Sequence, residues 1–142
     1  NLPMDIAIVK AMKSAVNHTQ DLNSRLSEFN NELRQYLVAF RGVEVNSPKG
    51  AAAHILNVGL AGVKGEVLVN AFSKNDIMLS TTSACSSKKA SLNEVLLAMD
   101  IEDNRIEGSV RLSMGETTTE KDIEQFKDKF KLIYAQIKEL LK

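Results

Sequence analysis

Two long stripes of apolar residues, one toward each end of the chain, limit what this sequence can fold into. Each recurs at intervals of three and four residues, the spacing of one helix face that must pack against another element. The first stripe comprises Leu22, Leu26, Phe29, Leu33, Leu37 and Phe40. The second comprises Ile123, Phe126, Phe130, Ile133, Ile137, Leu140 and Leu141. We therefore expect a helix from about residue 5 to 40 and a long last helix.

Turn and capping residues set the expected limits of these helices. The polar residues 17–20 mark a kink or a break between two helices, and Gly42 ends the first helical region. The last helix starts with a capping box of Thr117 and Glu120, and a cap at Thr119 is an alternative.

Short β-branched and alternating segments lie between the two stripes. Strands are expected at 43–45, 54–60, 77–79 and 108–115, with helices at 64–73 and after a capping box of Ser91 and Glu94. Residues expected to point into the core from these two helices are Val67, Leu68, Ala71, Phe72, Val95, Leu96 and Met99. Residues 100–107 are expected to form a charged connection. The order α-β-β-α-β-α-β-α predicts an α+β fold with helices covering a small, mostly antiparallel or mixed sheet.

Size and composition narrow the functional classes. A chain of 142 residues is long enough for one domain with its own core. Eighteen basic and eighteen acidic residues balance, so bulk attraction to nucleic acid has no support. No apolar run approaches the roughly 20 residues of a membrane helix. The single cysteine excludes an internal disulfide framework, which fits a reducing, cytoplasmic compartment.

The cysteine, Cys85, lies among small hydroxyl residues in the stretch 80–91, between an apolar strand segment and a helix signal. Lys88 and Lys89 follow it, and positive charge or a helix N-terminus stabilises the reactive thiolate. Two interpretations remain open from these residues: a reactive thiol on an exposed loop, or an inert, half-buried small side chain.

Other polar candidates carry weaker signals. Arg111 shares one strand face with Ser113, where it either faces solvent or holds a carboxylate with its planar fork. His18 is expected on a solvated helix face, and His54 at a strand edge or in the core. Because no second histidine or cysteine stands at metal-ligand spacing, we expect no metal site.

Taken in order, several segments resemble the cysteine desulfurases, the NifS/IscS-like branch of the class V aminotransferases. The segment 79–87, Leu-Ser-Thr-Thr-Ser-Ala-Cys-Ser-Ser, resembles their active-site cysteine loop. Segments 54–58 and 62–66 look like those before that loop, and 94–99 looks like the helix after it. The segment 108–115, Gly-Ser-Val-Arg-Leu-Ser-Met-Gly, is similar to the family's arginine strand. The resemblance covers nearly the whole chain.

This resemblance implies a specific activity. Such enzymes use pyridoxal phosphate to take sulfur from L-cysteine, leaving L-alanine and a persulfide on the loop cysteine, which Cys85 matches. Arg111 matches the arginine that holds the substrate carboxylate. The persulfide passes to acceptor proteins for iron–sulfur cluster biosynthesis, tRNA thiolation or other sulfur-containing cofactors. A cytoplasmic homodimer is also implied, as is a transient iron–sulfur ligand role for Cys85.

The family's cofactor lysine follows a histidine, and this chain offers no match, since Thr19 follows His18 and Ile55 follows His54. We therefore expect residues 1–142 to be the C-terminal small domain of a larger enzyme whose large domain binds the cofactor. This chain alone is expected to be inactive. Two rival hypotheses are a free-standing thiol carrier or binding module without cofactor chemistry, and a structural domain with an inert cysteine.

Overall fold

The computed structural model describes residues 1–81 and 93–140 of the chain. The helices are α1 (Leu2–Leu37), α2 (Gly65–Ser73), α3 (Glu94–Ala98), α4 (Asp103–Glu107) and α5 (Glu120–Leu140). The strands are β1 (Val43–Val45), β2 (Ile55–Leu60), β3 (Ser80–Thr81) and β4 (Ser109–Ser113). All strand pairs are antiparallel, in the order β1-β2-β4-β3. The predicted α+β class, with helices on a small antiparallel sheet, is confirmed.

The core lies between one face of this sheet and the helices α1, α2 and α5. The sheet contributes Val43, Leu56, Val58, Leu60, Val110 and Leu112 to it. Both predicted apolar helix stripes pack in this core. The stripe residues between Leu26 and Leu37 of α1 and between Ile123 and Ile137 of α5 are buried. Removing this area from water is the main stabilising contribution, at roughly 25 cal/mol per Å² of apolar surface.

Aromatic rings join the three core helices. Phe72 of α2 stacks on Phe126 of α5 with ring centroids 5.5 Å apart. Phe130 of α5 meets Phe40, just beyond α1, edge to face at 5.0 Å. On the solvent side Lys127 of α5 pairs with Glu32 of α1 and with Glu124. Hydrogen bonds to Glu124 and then Glu32 raise the pKa of Lys127 above its usual value.

Helix α1 differs from expectation at two points. It runs without a break through residues 17–20, where His18 and Thr19 bond to backbone carbonyl oxygens one turn back. The helix ends at Leu37 rather than at Gly42. Gly42 instead adopts φ +83° in the tight turn into β1, a left-handed conformation that glycine tolerates best.

The ends of the shorter elements also correct the sequence predictions. Helix α3 is capped by Asn93, whose Oδ1 accepts from the backbone N–H groups of Val95 and Leu96. The predicted box of Ser91 and Glu94 is therefore wrong, since Glu94 is the first helical residue; Ser91 itself lies outside the described residues.

Helix α5 is capped by Thr119, which exchanges hydrogen bonds with Asp122. The alternative cap at Thr119 is therefore confirmed, and the predicted capping box of Thr117 and Glu120 is wrong. The third strand lies at 80–81 rather than 77–79, because the turn after α2 continues to Ile77, whose N–H bonds to the carbonyl of Phe72.

Two expected core residues face solvent, and one helix was not predicted. Val67 of α2 is 48% exposed, because the buried stripe of that helix is centred on Leu68 and Phe72. Val95 of α3 is 67% exposed, because that helix buries Leu96 instead. The charged segment after residue 100 contains α4, whose Ile106 is buried.

Within the described ranges, none of the helices combines the length and apolar character that crossing a bilayer requires.

Candidate functional site

The sheet face opposite the core is polar. Along β4, Val110 and Leu112 point into the core, while Arg111 and Ser113 are exposed. Arg111 is the register partner of Asn57 on β2 and of Ser80 on β3. Because directly opposed residues of antiparallel strands project from the same face, Arg111 stands between Asn57 and Ser80.

The guanidinium of Arg111 is free to bind an anion. It makes no hydrogen bond or ion pair with any residue of 1–81 or 93–140. A planar fork of this kind matches both oxygens of one carboxylate. Both sequence hypotheses for Arg111, a solvent-facing charge and a carboxylate ligand, agree with this exposed position.

A network of hydrogen bonds, buried at the links from Asn46 to Asn57 and to Ser109, lies beside Arg111 on the same face. Arg105 of α4 pairs with Glu44 of β1 at 2.8 Å and donates from Nη2 to Oδ1 of Asn46 at 2.7 Å. Asn46 donates in turn from Nδ2 to Oδ1 of Asn57 at 2.7 Å and to the hydroxyl of Ser109 at 2.8 Å. The network joins α4 to three adjacent strand regions and leads to the residue opposite Arg111.

Two glycines make room for this network. A Cβ at Gly108 would lie 2.3 Å from the carbonyl oxygen of Leu60 and 2.7 Å from that of Val63. A Cβ at Gly59 would lie 3.1 Å from the carbonyl oxygen of Arg105 and 3.4 Å from Nδ2 of Asn46. The absence of these side chains lets the α4–β4 connection lie directly against the end of β2.

Cys85, the predicted nucleophile, lies outside the described residues. The described chain approaches it through β3, which pairs with β4 at Ser80↔Arg111 and Thr81↔Val110. The strand that leads toward the cysteine segment is therefore hydrogen-bonded to the strand that carries Arg111.

The histidines stay apart from this face. His18 is exposed on α1 and bonds to the carbonyl of Ser14, as expected of a solvated helix residue. His54 is exposed and lies directly before β2. This agrees with the predicted position at a strand edge and shows that the alternative, a core position, is wrong. Among the residues that the structure describes, no cluster of three or more histidine, cysteine or acidic side chains could hold a metal ion.

Sequence reasoning did not identify Asn46, Asn57, Arg105 or Ser109 as part of the site. One signal was available: Asn57 interrupts an otherwise apolar strand, and a polar residue buried at such a position must be hydrogen-bonded. Its partners could not be found in the sequence, because the network joins residues up to 63 positions apart.

The model of the class V aminotransferases, "Aminotransferase class-V", matches residues 6–126 of this chain. The chain belongs to the class V aminotransferase family. A "NifS/IcsS protein homolog" of Lactobacillus delbrueckii subsp. bulgaricus is 34% identical over 99% of this chain and 37% of its own. A "Cysteine desulfurase IscS" of Clostridium botulinum is 30% identical over 95% of this chain and 35% of its own.

Solved structures of NifS-like proteins share the fold. A "NIFS-LIKE PROTEIN" superposes with a TM-score of 0.74 at 22% identity, covering 91% of this chain and 32% of that one. A NifS-like protein from Rickettsia africae gives a TM-score of 0.70 at 20% identity, covering 84% and 31%. The chain thus spans about a third of the length of the class V relatives it matches.

Proposed function

We propose that this chain is the C-terminal small domain of a cysteine desulfurase, which takes sulfur from L-cysteine and leaves L-alanine. One observation carries the proposal: relatives named cysteine desulfurase match 95% of this chain within the class V family. The share of those relatives that the chain covers, about a third, supports the proposal that it is one domain of a longer enzyme, and the resemblance of the cysteine segment suggests its C-terminal place.

Cys85 is the proposed nucleophile. Its thiolate attacks the sulfur of L-cysteine, forms an S–S bond and breaks the bond between that sulfur and the substrate's Cβ. The substrate carbon keeps the electron pair, takes a proton and becomes the methyl group of alanine. Positive charge near a thiol favours the thiolate, the form in which a cysteine attacks, and Lys88 and Lys89 follow Cys85 in sequence.

Arg111 is the proposed ligand of the substrate carboxylate. Its guanidinium is exposed and unpaired among the described residues, and its strand pairs with β3, which leads into the cysteine segment. Binding the carboxylate there orients the substrate so that one end is fixed while the sulfur meets Cys85, a proximity effect.

Pyridoxal phosphate is the cofactor that the class V resemblance implies. The polar sheet face offers guanidinium, amide and hydroxyl groups but, in its described part, no lysine to anchor that cofactor. The residues present therefore suit a carboxylate substrate, and we assign cofactor binding to a part of the enzyme outside this chain. When bound there, the cofactor supplies the electron sink for carbon–sulfur cleavage.

Partners and compartment follow from the same proposal. The sulfur held on Cys85 passes to acceptor proteins, such as an iron–sulfur scaffold or a tRNA-thiolation enzyme, in the cytoplasm. The intact enzyme is a homodimer, and this chain alone does not desulfurate cysteine.

The test uses the intact protein from which this chain comes. L-Alanine release from L-cysteine is measured for the wild type and for Cys85→Ala, whose cofactor absorbance and thermal unfolding are compared as a folding control. We expect the substitution to abolish turnover while cofactor content and unfolding stay unchanged. Turnover that is indifferent to Cys85 would favour an inert cysteine, and absence of alanine from the wild type would favour a thiol carrier.

A further inference from the structure

Asn57 is a buried polar side chain at the centre of the polar sheet face. It is only 8% exposed, and its Cα is the register partner of that of Arg111. Side chains so placed have Cβ atoms about 4.5–5.5 Å apart, within reach of one common ligand. The environment of Asn57 therefore bears directly on what Arg111 binds.

The orientation of the Asn57 amide is set from Arg105. A guanidinium only donates, so Asn46 must present its Oδ1 to Arg105 and its Nδ2 to the other side. That Nδ2 donates to Asn57 at 2.7 Å, so the atom of Asn57 that receives this bond must be the oxygen. The Nδ2 of Asn57 is then the one donor of this series of hydrogen bonds that remains unused.

This remaining donor has no acceptor among residues 1–81 and 93–140. The hydrogen bond of Asn57 to Ser47 uses the backbone N–H rather than the side chain. The Nδ2 atom is reachable from solvent, since the one enclosed side-chain polar atom without a partner in the described part of the chain is Nε of Arg105. A ligand or a water molecule can therefore accept its hydrogen bond.

We propose that Asn57 donates a hydrogen bond from Nδ2 to the same carboxylate that Arg111 binds, with Arg105 as the positioning residue that orients Asn57 through Asn46. The inference rests on the proposed function, in which that carboxylate belongs to L-cysteine. A carboxylate has about four lone-pair sites, so a bidentate arginine leaves room for another donor. A neutral amide adds that donor without repelling the guanidinium.

The main test measures KM and kcat for L-cysteine on the intact holoenzyme. Asn57→Ala should raise KM by about 10- to 100-fold, the value of a hydrogen bond to a charged group. Asn57→Asp keeps an oxygen for Asn46 but places an anion beside Arg111, so its KM should rise further. Asn75→Ala is the matched control, because Asn75 is half-buried and bonds to Ala71 away from this face. An Asn57→Ala KM equal to that of the control would overturn the proposal.

A second readout separates carboxylate binding from general destabilisation. Propionate offers a carboxylate without an amino or thiol group, and its inhibition constant should rise in parallel with KM in Asn57→Ala. In an Arg111→Ala background, adding Asn57→Ala should change this constant by less than about 3-fold, since both residues bind one group. Full additivity of the two effects would contradict a shared ligand.

The outcomes distinguish the two proposals. If Arg111→Ala leaves both constants unchanged, the proposed role of Arg111 fails, and this inference fails with it. If Arg111→Ala raises them and Asn57→Ala does not, only this inference fails.

The role of Arg105 is tested by rescue. Arg105→Met should raise the propionate inhibition constant by about 3- to 10-fold because the amides of Asn46 and Asn57 lose their fixed orientation. Arg105→Lys, which retains a donor-only cation, should restore a value near that of the wild type. Equal constants for the methionine and lysine variants would show that Arg105 acts only in folding.

Discussion

At the scale of single residues, close backbone approach explains why Gly108 is glycine. An added Cβ would overlap the carbonyl oxygens of Leu60 and Val63, both of which are backbone atoms that a side-chain rotation cannot move away. Gly115 has no atom within 4 Å of such a Cβ and lies at the other end of β4, so it is the matched comparison.

We predict that Gly108→Ala destabilises the protein by about 3 kcal/mol or more, because overpacking forces the α4–β4 connection away from β2. Gly115→Ala should change the free energy of unfolding by less than about 0.5 kcal/mol. Denaturant unfolding of both variants measures the difference, and a similar small effect for both would contradict the packing described for Gly108.

A second residue-scale prediction concerns the cap of α5. Hydrogen bonds from the Thr119 side chain and then its backbone N–H lower the pKa of Asp122 below its ordinary value. A carboxyl whose folded pKa is depressed stabilises the fold above its unfolded pKa, and this contribution is lost as pH falls through the folded value.

The stability difference between wild type and Asp122→Asn should therefore be largest near neutral pH and shrink as pH falls below about 4. Thermal unfolding across this range measures it. Glu120→Gln serves as a control in the same first turn, and a pH-independent difference for Asp122→Asn would contradict the assigned cap.

At the scale of elements, the aromatic cluster determines how α5 lies on the other helices. Phe130 is 7% exposed and contacts the rings of Tyr36, Phe40, Phe72, Phe126 and Tyr134. Leu132 lies two positions further on the same helix but is 59% exposed.

Phe130→Ala should lower the free energy of unfolding by about 3–5 kcal/mol, the usual cost of removing a buried aromatic ring. Leu132→Ala should cost less than about 0.5 kcal/mol. Chemical unfolding followed by far-UV circular dichroism compares the two; equal losses would mean that the helix packs by a different face.

Elements with strong periodicity were predictable from sequence, and those fixed by tertiary contacts were not. The stripes of α1 and α5 and the alternation of β4 are local patterns, so these elements were predicted, although the ends of α1 and the cap of α5 were not. Helix α4 was not predicted because its five residues, four of which are polar or charged, carry no apolar stripe. Its position depends on Arg105 and on the space left by Gly59 and Gly108.

At the proposed site, strand alternation predicted the face of β4 on which Arg111 lies, and the family resemblance suggested its proposed role. The Arg105–Asn46–Asn57 chain could not, since its hydrogen bonds join residues that are distant in sequence and depend on strand register. A buried asparagine within a strand shows that a network is needed but does not show which residues complete it.

At the scale of the whole molecule, the first half of α1 presents an unusually apolar surface. Its exposed apolar side chains, each at least 51% accessible, are Leu2, Met4, Ile6, Ile8, Val9, Met12 and Val16. Patches of this kind mark interaction sites, so we expect a further domain of the intact enzyme to cover part of this helix.

Amide hydrogen exchange over residues 2–16 should accordingly be slower in the intact protein than in the isolated chain. The exchange rates of residues 120–137 in each protein serve as the internal reference. The buried half of α1, around Leu33, should show little difference. Equal exchange of residues 2–16 in both proteins would indicate that this half of the helix is not covered in the intact enzyme.

If Cys85 receives sulfur from L-cysteine, the mass of the peptide that contains Cys85 must increase by that sulfur. The intact enzyme is incubated with L-cysteine, alkylated and digested, and the Cys85 peptide is measured with and without prior reduction. We predict an added mass of one sulfur atom that reduction removes and that Arg111→Ala diminishes. A Cys85 peptide of unchanged mass, in an enzyme that still releases alanine, would show that Cys85 is not the sulfur acceptor.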